Sequence, residues 1–104
     1  MDIFDIYITT PAENDLRDIA KHIATQFNAP ITAKNMIHSI KAAIANLETT
    51  ALAHPLVRDD RLAAIGYRFL SVKNYIVFYV VNEKEKQVDV DRILYSRRDW
   101  RNLL

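Results

Sequence analysis

Arg68, Lys73, Tyr75, Arg92, Tyr95, Arg97, Arg98 and Trp100 are the residues of this chain whose types and spacing could do chemistry on an anionic polymer. Cations interleaved with aromatic rings suit phosphate contact combined with base stacking. Guanidinium forks grip phosphate or carboxylate at two points. Cleaving RNA through its 2′-hydroxyl asks for more: a base to take the hydroxyl proton, a donor for the leaving oxygen and cations around the phosphorus. The candidates for such a ribonuclease site are Tyr95, Arg97, Arg98, Arg68 and Lys73. Its weak point is the base. Tyrosine ionises at about pH 10 when unperturbed, and no histidine follows His54. Residue chemistry alone therefore favours a target-binding surface, made by Arg68, Arg92, Tyr95, Arg97, Arg98 and Trp100, over a nuclease.

Other chemistries find less support. His22, His38 and His54 all lie in the first half of the chain, without metal-ligand spacing, so no metal site is expected. His22 and His38 fall off the apolar stripes of their helices and read as solvated, and His54 precedes a proline in a connection. Ser39, Ser71 and Ser96 sit in no strained nucleophile turn. Asp89 and Asp91, two apart in a strand, read as a solvated strand face. There is no cysteine, which excludes disulfides, thiolate metal sites and cysteine nucleophiles. With one glycine, the chain has no Gly-rich phosphate loop and no dinucleotide fingerprint. No cofactor is implied. No apolar run approaches the roughly 20 residues of a membrane span, and the acidic start is unlike a signal peptide. The expected compartment is the cytoplasm.

The frame for these residues follows from length and pattern. A chain of 104 residues, half hydrophobic and 26% charged, suits one soluble domain spanning residues 1–104. The net charge of +1 hides an asymmetry. Acids cluster early, at Asp2, Asp5, Glu13, Asp15 and Asp18, while Arg92, Arg97, Arg98 and Arg101 face Asp99 alone in the last stretch. Phe4, Ile6 and Ile8 alternate with Asp5, Tyr7 and Thr9, which predicts a strand over 2–9. Thr10-Pro11-Ala12-Glu13 predicts a helix start, with Thr10 as cap and Glu13 closing a capping box. The stripe Leu16, Ile19, Ala20, Ile23 and Phe27 continues that helix.

Asn28-Ala29-Pro30 breaks it. A second stripe, Ala33, Met36, Ile37, Ile40, Ile44 and Leu47, predicts a helix from about Pro30 to Glu48 and hence an αα-hairpin. Residues 50–65 read as a connection with a charged turn, Arg58-Asp59-Asp60-Arg61. Three strands follow, at Tyr67–Val72, Tyr75–Val81 and Gln87–Tyr95. The apolar run of the middle one marks a central strand buried on both faces. The alternation of the last strand changes phase at Arg92-Ile93, which predicts a bulge or strand end there. The predicted fold class is α+β, in the order β-α-α-β-β-β. An antiparallel sheet carries the helical hairpin on one face and leaves the other partly open. Ser96–Leu104 forms a short C-terminal helix or tail.

The sequence resembles the RelE/ParE superfamily of bacterial type II toxin–antitoxin toxins over nearly its whole length. The likeness is carried by the element order and by the helix PAENDLRDIAKHI. It continues in Ala53-His54-Pro55, Gly66-Tyr67-Arg68, Val77-Phe78-Tyr79, and Val90-Asp91-Arg92-Ile93-Leu94-Tyr95 followed by Arg97-Arg98-Asp99. The resemblance implies a growth-arresting toxin neutralised by a cognate antitoxin protein, which lays a segment across the toxin's helices and sheet. It implies contact with operator DNA only through that antitoxin, and no membrane. The RelE-like branch cuts mRNA on the ribosome and commonly has arginine after the tyrosine of the third strand; here Ile76 follows Tyr75. The ParE-like branch poisons DNA gyrase and is not known as a nuclease. Its pattern matches Gly66-Tyr67-Arg68, Val77-Phe78-Tyr79 and Arg92-Ile93-Leu94, with Tyr95 where histidine is frequent. The ParE-like branch is thus the nearer one. A ribosome-dependent mRNA endonuclease and a non-catalytic antitoxin-binding module are the alternatives. On the ParE-like reading, Arg97 and Arg98 meet the target, Arg92 holds the tail, and Trp100, Leu103 and Leu104 pack the tail on the domain or into a partner.

Overall fold

The computed structural model describes residues 3–104, in the order β1 (Asp5–Ile8), α1 (Thr10–Gln26), α2 (Pro30–Thr50), α3 (Asp60–Ile65), β2 (Tyr67–Val72), β3 (Tyr75–Asn82), β4 (Gln87–Tyr95) and a closing 3-10 turn (Trp100–Asn102). The α+β order matches the sequence pattern. Asp2, read as part of the first strand, lies outside the described residues. None of the described helices is long and apolar enough to cross a membrane.

The four strands lie in the order β1-β4-β3-β2. β2, β3 and β4 form the expected antiparallel meander, but β1 joins β4 in parallel, so the sheet is mixed rather than antiparallel throughout. Alternation specifies which face a side chain takes and is blind to strand direction. The direction of β1 is settled at its exit, where Thr9 binds β4. Its N–H donates to the Val90 carbonyl at 3.1 Å and its hydroxyl donates to the Asp91 carbonyl at 3.0 Å. The same hydroxyl accepts from the Ala12 N–H at 3.3 Å, so Thr9, not Thr10, is the N-cap of α1. The predicted capping box does not form, because Glu13 lies one residue beyond the third helical position and faces Arg17 at 4.0 Å instead.

The helical hairpin buries Leu16, Ile19 and Ile23 of α1 and Ile40, Ile44 and Leu47 of α2 against Val77, Tyr79, Val88, Val90 and Ile93 of the sheet. Phe27 departs from the predicted stripe. It is the C-cap residue of α1, off the helical conformation, and is 69% exposed. Tyr79 is wholly buried and donates to the Ala51 carbonyl at 2.6 Å, which ties the end of α2 to the central strand.

The other face of the sheet is not open. A second core of Val57, Leu62, Phe78 and Leu94 lies there, with Trp100, Leu103 and Leu104 packed on it. The charged stretch read as a turn starts α3. Asp59 Oδ1 accepts from the Leu62 N–H at 3.0 Å, and Gly66, at φ 109°, closes the helix by donating to the Leu62 and Ala63 carbonyls. An aspartate before the helix and a glycine after it are ordinary start and stop signals; the shortness of the element masked them. Its one buried side chain is Leu62.

Leu62→Ala is therefore expected to cost about 2–5 kcal/mol of unfolding free energy in urea titrations, the range for a buried leucine that leaves a cavity. Leu52→Ala, at a 40% exposed position, is expected to change it by about 0.5 kcal/mol or less. Equal effects would refute a second core organised around Leu62.

Candidate functional site

The phase change near the end of β4 is a β-bulge. Phe78 pairs with Arg92 while Tyr79 pairs with Val90, which leaves Asp91 as the extra residue. The bulge puts Val90 and Ile93 on the same face although they are three apart, and sends Leu94 to the second core. The extra residue is held on both sides. Its carbonyl takes the Thr9 hydroxyl, and its carboxylate accepts from the Tyr67 hydroxyl at 2.6 Å. Burial, together with that hydrogen bond and the Asp91 charge, pushes the Tyr67 pKa up to about 12. Burial raises Tyr79 to about 12 as well, against the opposing charge of Arg68.

β1 ends at Ile8, so β4 has no strand neighbour on that side beyond the bulge. Asp15 of α1 takes the strand's place. Its Oδ2 accepts from the Ile93 N–H at 2.9 Å and from Arg92 Nε at 2.8 Å, and its Oδ1 accepts from Arg92 Nη2 at 2.9 Å. The pair is well buried, with side-chain exposures of 21% for Arg92 and 8% for Asp15. The hydrogen bonds that Arg92 donates to Asp15 outweigh burial and raise the Arg92 pKa further. The remaining arm, Nη1, donates to the Leu103 carbonyl at 3.2 Å. One ion pair thus joins α1, the free edge of β4 and the tail. The composition of the chain marks Asp15 only as one early acid among several. Its position gives the missing signal, because Ala12, Asp15, Leu16 and Ile19 fall on one helical face that is otherwise apolar and buried.

The tail turns back immediately after β4. The Arg98 N–H donates to the Tyr95 carbonyl at 3.0 Å and the Ser96 N–H to the Asn74 carbonyl at 2.8 Å. Trp100 then packs on Phe78, ring centres 5.2 Å apart, with the Arg101 guanidinium 4.4 Å from the indole. Arg101 pairs with Asp59 at 3.5 Å and its carbonyl accepts from Arg61 at 3.2 Å.

The structure splits the predicted constellation. Lys73, Tyr75, Tyr95, Arg97 and Arg98 gather at one end of the sheet, where Tyr75 and Tyr95 pair across strands with ring centres 5.8 Å apart. Lys73, Tyr95, Arg97 and Arg98 are exposed there. Burial and the neighbouring Tyr95 raise the Tyr75 pKa. Arg68 pairs with Tyr79, four residues further along the sheet, or roughly 13 Å at ordinary strand rise. It donates to the His54 carbonyl at 2.6 Å and holds the connection against the edge of β2. Arg92 and Trp100 are half-buried and committed to the tail.

A groove of about 600 Å³ opens beside the exposed end. Ile19, Ile23, Met36, Tyr75 and Ile93 contribute apolar walls, and Asp18, His22, Tyr95 and Arg98 supply polar groups. His22 also meets the Phe27 ring edge-on at 5.7 Å. The sequence keeps His22 and Tyr95 far apart; the fold brings them to one groove. Among the described residues no group of three or more histidines and carboxylates could hold a metal ion.

Asp15→Ala leaves the Arg92 charge half-buried and the Ile93 N–H without its acceptor. A loss of about 3–5 kcal/mol is expected, as for a buried pair broken on one side. The double variant Asp15→Ala/Arg92→Met should lose less than the sum of the singles in a double-mutant cycle; strict additivity would refute the coupling. The two raised tyrosines predict a second effect. Their folded-state pKa lies above the unfolded value of about 10, so their contribution is complete below pH 10 and disappears as pH rises towards about 12. Urea midpoints measured from pH 8 to 12 should fall in that window, and less steeply in Tyr67→Phe.

No curated protein sequence matches the chain. The family model for the ParE toxin of the type II toxin–antitoxin system parDE matches residues 6–100. Solved structures similar in fold include two toxin–antitoxin systems. One, the chromosomal ParDE toxin–antitoxin system from P. aeruginosa, superposes with a TM-score of 0.74 at 19% identity, over 89% of this chain and 96% of that one. The other, the RelBE2 toxin–antitoxin complex from Mycobacterium tuberculosis, gives 0.60 at 16% identity, over 91% and 99%. The family match runs from β1 through the bulge and Arg97-Arg98 to Trp100, and therefore includes Asp15, Arg92 and the exposed end. The chain belongs to the ParE toxin family of type II toxin–antitoxin systems.

Proposed function

We propose that this toxin arrests bacterial growth by poisoning DNA gyrase, and that Tyr95, Arg97 and Arg98, with Lys73 beside them, form the surface that meets the target. The observation that carries this reading is the contrast between cations. Arg92 and Arg68 are tied to a carboxylate and to a backbone carbonyl. The side chains of Arg97 and Arg98 are exposed and make no ion pair with the described residues. Holding two adjacent cations out in water costs little, and they keep their full hydrogen-bonding capacity for a phosphate or carboxylate on a partner. Arg92 and Trp100 act as positioning residues by fixing where the tail turns, and Arg68 does so for the connection. A cognate antitoxin neutralises the toxin, and operator DNA is reached only through that antitoxin. The protein acts in the cytoplasm, where gyrase is.

A second reading, ribosome-dependent mRNA cleavage by Tyr95 with Arg97, Arg98, Lys73 and Arg68, gains one observation. His22 lines the same groove as Tyr95 and Arg98 and offers the base that the C-terminal half lacks. Against it, Arg68 lies away from the others, and Ile76 packs on the second core where a cation would be needed.

Induced without antitoxin, the toxin should produce gyrase-dependent chromosome breaks and an SOS response. The double variant Arg97→Ala/Arg98→Ala, with an unchanged circular-dichroism spectrum and thermal midpoint, should restore growth to near that of uninduced cells. Arrest with intact chromosomes and uninhibited supercoiling sinks the gyrase reading. Defined codon cuts seen by primer extension would replace it with the nuclease, and harmless expression would leave only an antitoxin-binding module.

A further inference from the structure

We infer that the groove and the cationic end beside it form one binding site for single-stranded DNA, with a base in the groove and the phosphates on the cations outside. The backbone half of the site is Lys73, Arg97 and Arg98. The Ser96 N–H donates to the Asn74 carbonyl at 2.8 Å, which sets the turn after β4 against the turn between β2 and β3. Lys73 and Arg97-Arg98 thereby share one end of the sheet, all exposed and in no ion pair with a described residue. Cations gathered in this way attract a chain of repeated phosphates more strongly than a single carboxylate.

The base half is the groove. Tyr95 and Arg98 line it and also belong to the cationic end, so the two halves are continuous. Its volume of about 600 Å³ lies within the range of sites that take a small organic group. Tyr95 is 40% exposed and leans on buried Tyr75 at an interplanar angle of 69°. A ring held like this stacks on a base with little further loss of side-chain freedom. Ile23, Met36 and Ile93 supply apolar wall, and Thr32 and Asn74 offer polar groups to a base edge. The Asp18 carboxylate in the same wall repels phosphate but accepts from the amino group of cytosine or adenine. Charge of one sign outside the groove and of the other within it therefore orients a nucleotide, backbone outward and base inward.

A duplex cannot use both halves, because its bases enter a pocket only after leaving the stack. An unpaired strand is spared that step. The choice of DNA over RNA rests on the functional reading above, since gyrase works on DNA; the site for an unpaired strand does not. A strand held at this end keeps the toxin beside DNA that gyrase has opened.

Fluorescence anisotropy of the purified full chain with a labelled DNA strand of about 12 cytosines and adenines should give a Kd in the micromolar range at about 50 mM salt. The logarithm of affinity should fall against the logarithm of salt with a slope of about 2, the value for three phosphates on a single strand. The same strand in a duplex should bind about tenfold more weakly or worse, and its RNA counterpart no more tightly than the DNA. Arg97→Ala/Arg98→Ala should weaken binding about tenfold or more and flatten the salt dependence. Tyr95→Ala should weaken it about tenfold while Tyr95→Phe stays within about twofold, as stacking requires. All these substitutions are at exposed positions and are checked by circular dichroism for unchanged folding. No binding up to about 200 µM protein overturns the inference. So does equal affinity for duplex and single strand, or indifference to Tyr95→Ala, either of which leaves only a phosphate patch. An RNA strand held about tenfold more tightly overturns the assignment to DNA. Gyrase inhibition by a chain that binds no strand removes this inference and keeps the gyrase reading; strand binding by a chain that leaves supercoiling intact does the reverse.

Discussion

A sheet strand that outruns its neighbour must find hydrogen-bond partners for the amides left over, and in this toxin the partner is a carboxylate. Beyond Ile8 the β1 side of β4 carries no strand, and Asp15 takes the Ile93 N–H together with two arms of Arg92. Because that carboxylate is nearly dry, each bond it accepts is stronger than the same bond at the surface and harder to lose. The third arm of Arg92 reaches the Leu103 carbonyl. The same guanidinium thus sets the position of α1, the course of β4 and the return of the tail.

The bulge at Asp91 makes this arrangement possible. An uninterrupted alternation would put Ile93 on the face opposite Val90 and strip the first core of a side chain. The extra residue restores Ile93 to that core, delivers Leu94 to the second and leaves Arg92 facing Asp15. Thr9 and Tyr67 hold the bulge from two sides, and Thr9 caps α1 with the same hydroxyl oxygen. The strand end, the first helix and the tail are consequently one mechanical unit. The exposed cations of Arg97 and Arg98 stand on that unit. The tail beneath them is held by Arg92, Trp100, Arg61 and the Arg101–Asp59 pair, so its attachment does not draw on Arg97 or Arg98.

Regular, period-driven features were legible residue by residue. The apolar steps of three and four in α1 and α2, the near-continuous apolar run of β3 and the limits of β2 and β4 follow from burial of one face or two, and the phase slip at Arg92-Ile93 pointed to the bulge. Thr9 rather than Thr10 as the cap, the parallel pairing of β1 and the closed second face were not legible. Each depends on a partner distant in sequence: the β4 carbonyls for Thr9, the orientation of β4 for β1, and the returning tail for Phe78 and Leu94. Likewise the constellation of cations and aromatics was visible as composition, but spacing alone could not separate Arg68 from the rest.

What the sequence determined by itself is the set of elements, their order and the family, because these rest on local periodicity and on short motifs whose spacing survives without coordinates. What only the tertiary structure decided is which cations are spent on the fold and which remain for a partner. Five arginines from Arg68 to Arg101 look alike along the chain; in space Arg68, Arg92 and Arg101 meet an acceptor or a carboxylate, while Arg97 and Arg98 point to water. The physical reason is that a charge is neutralised by what lies within a few ångströms of it, and for Arg92 that neighbour is Asp15, 77 residues away in sequence.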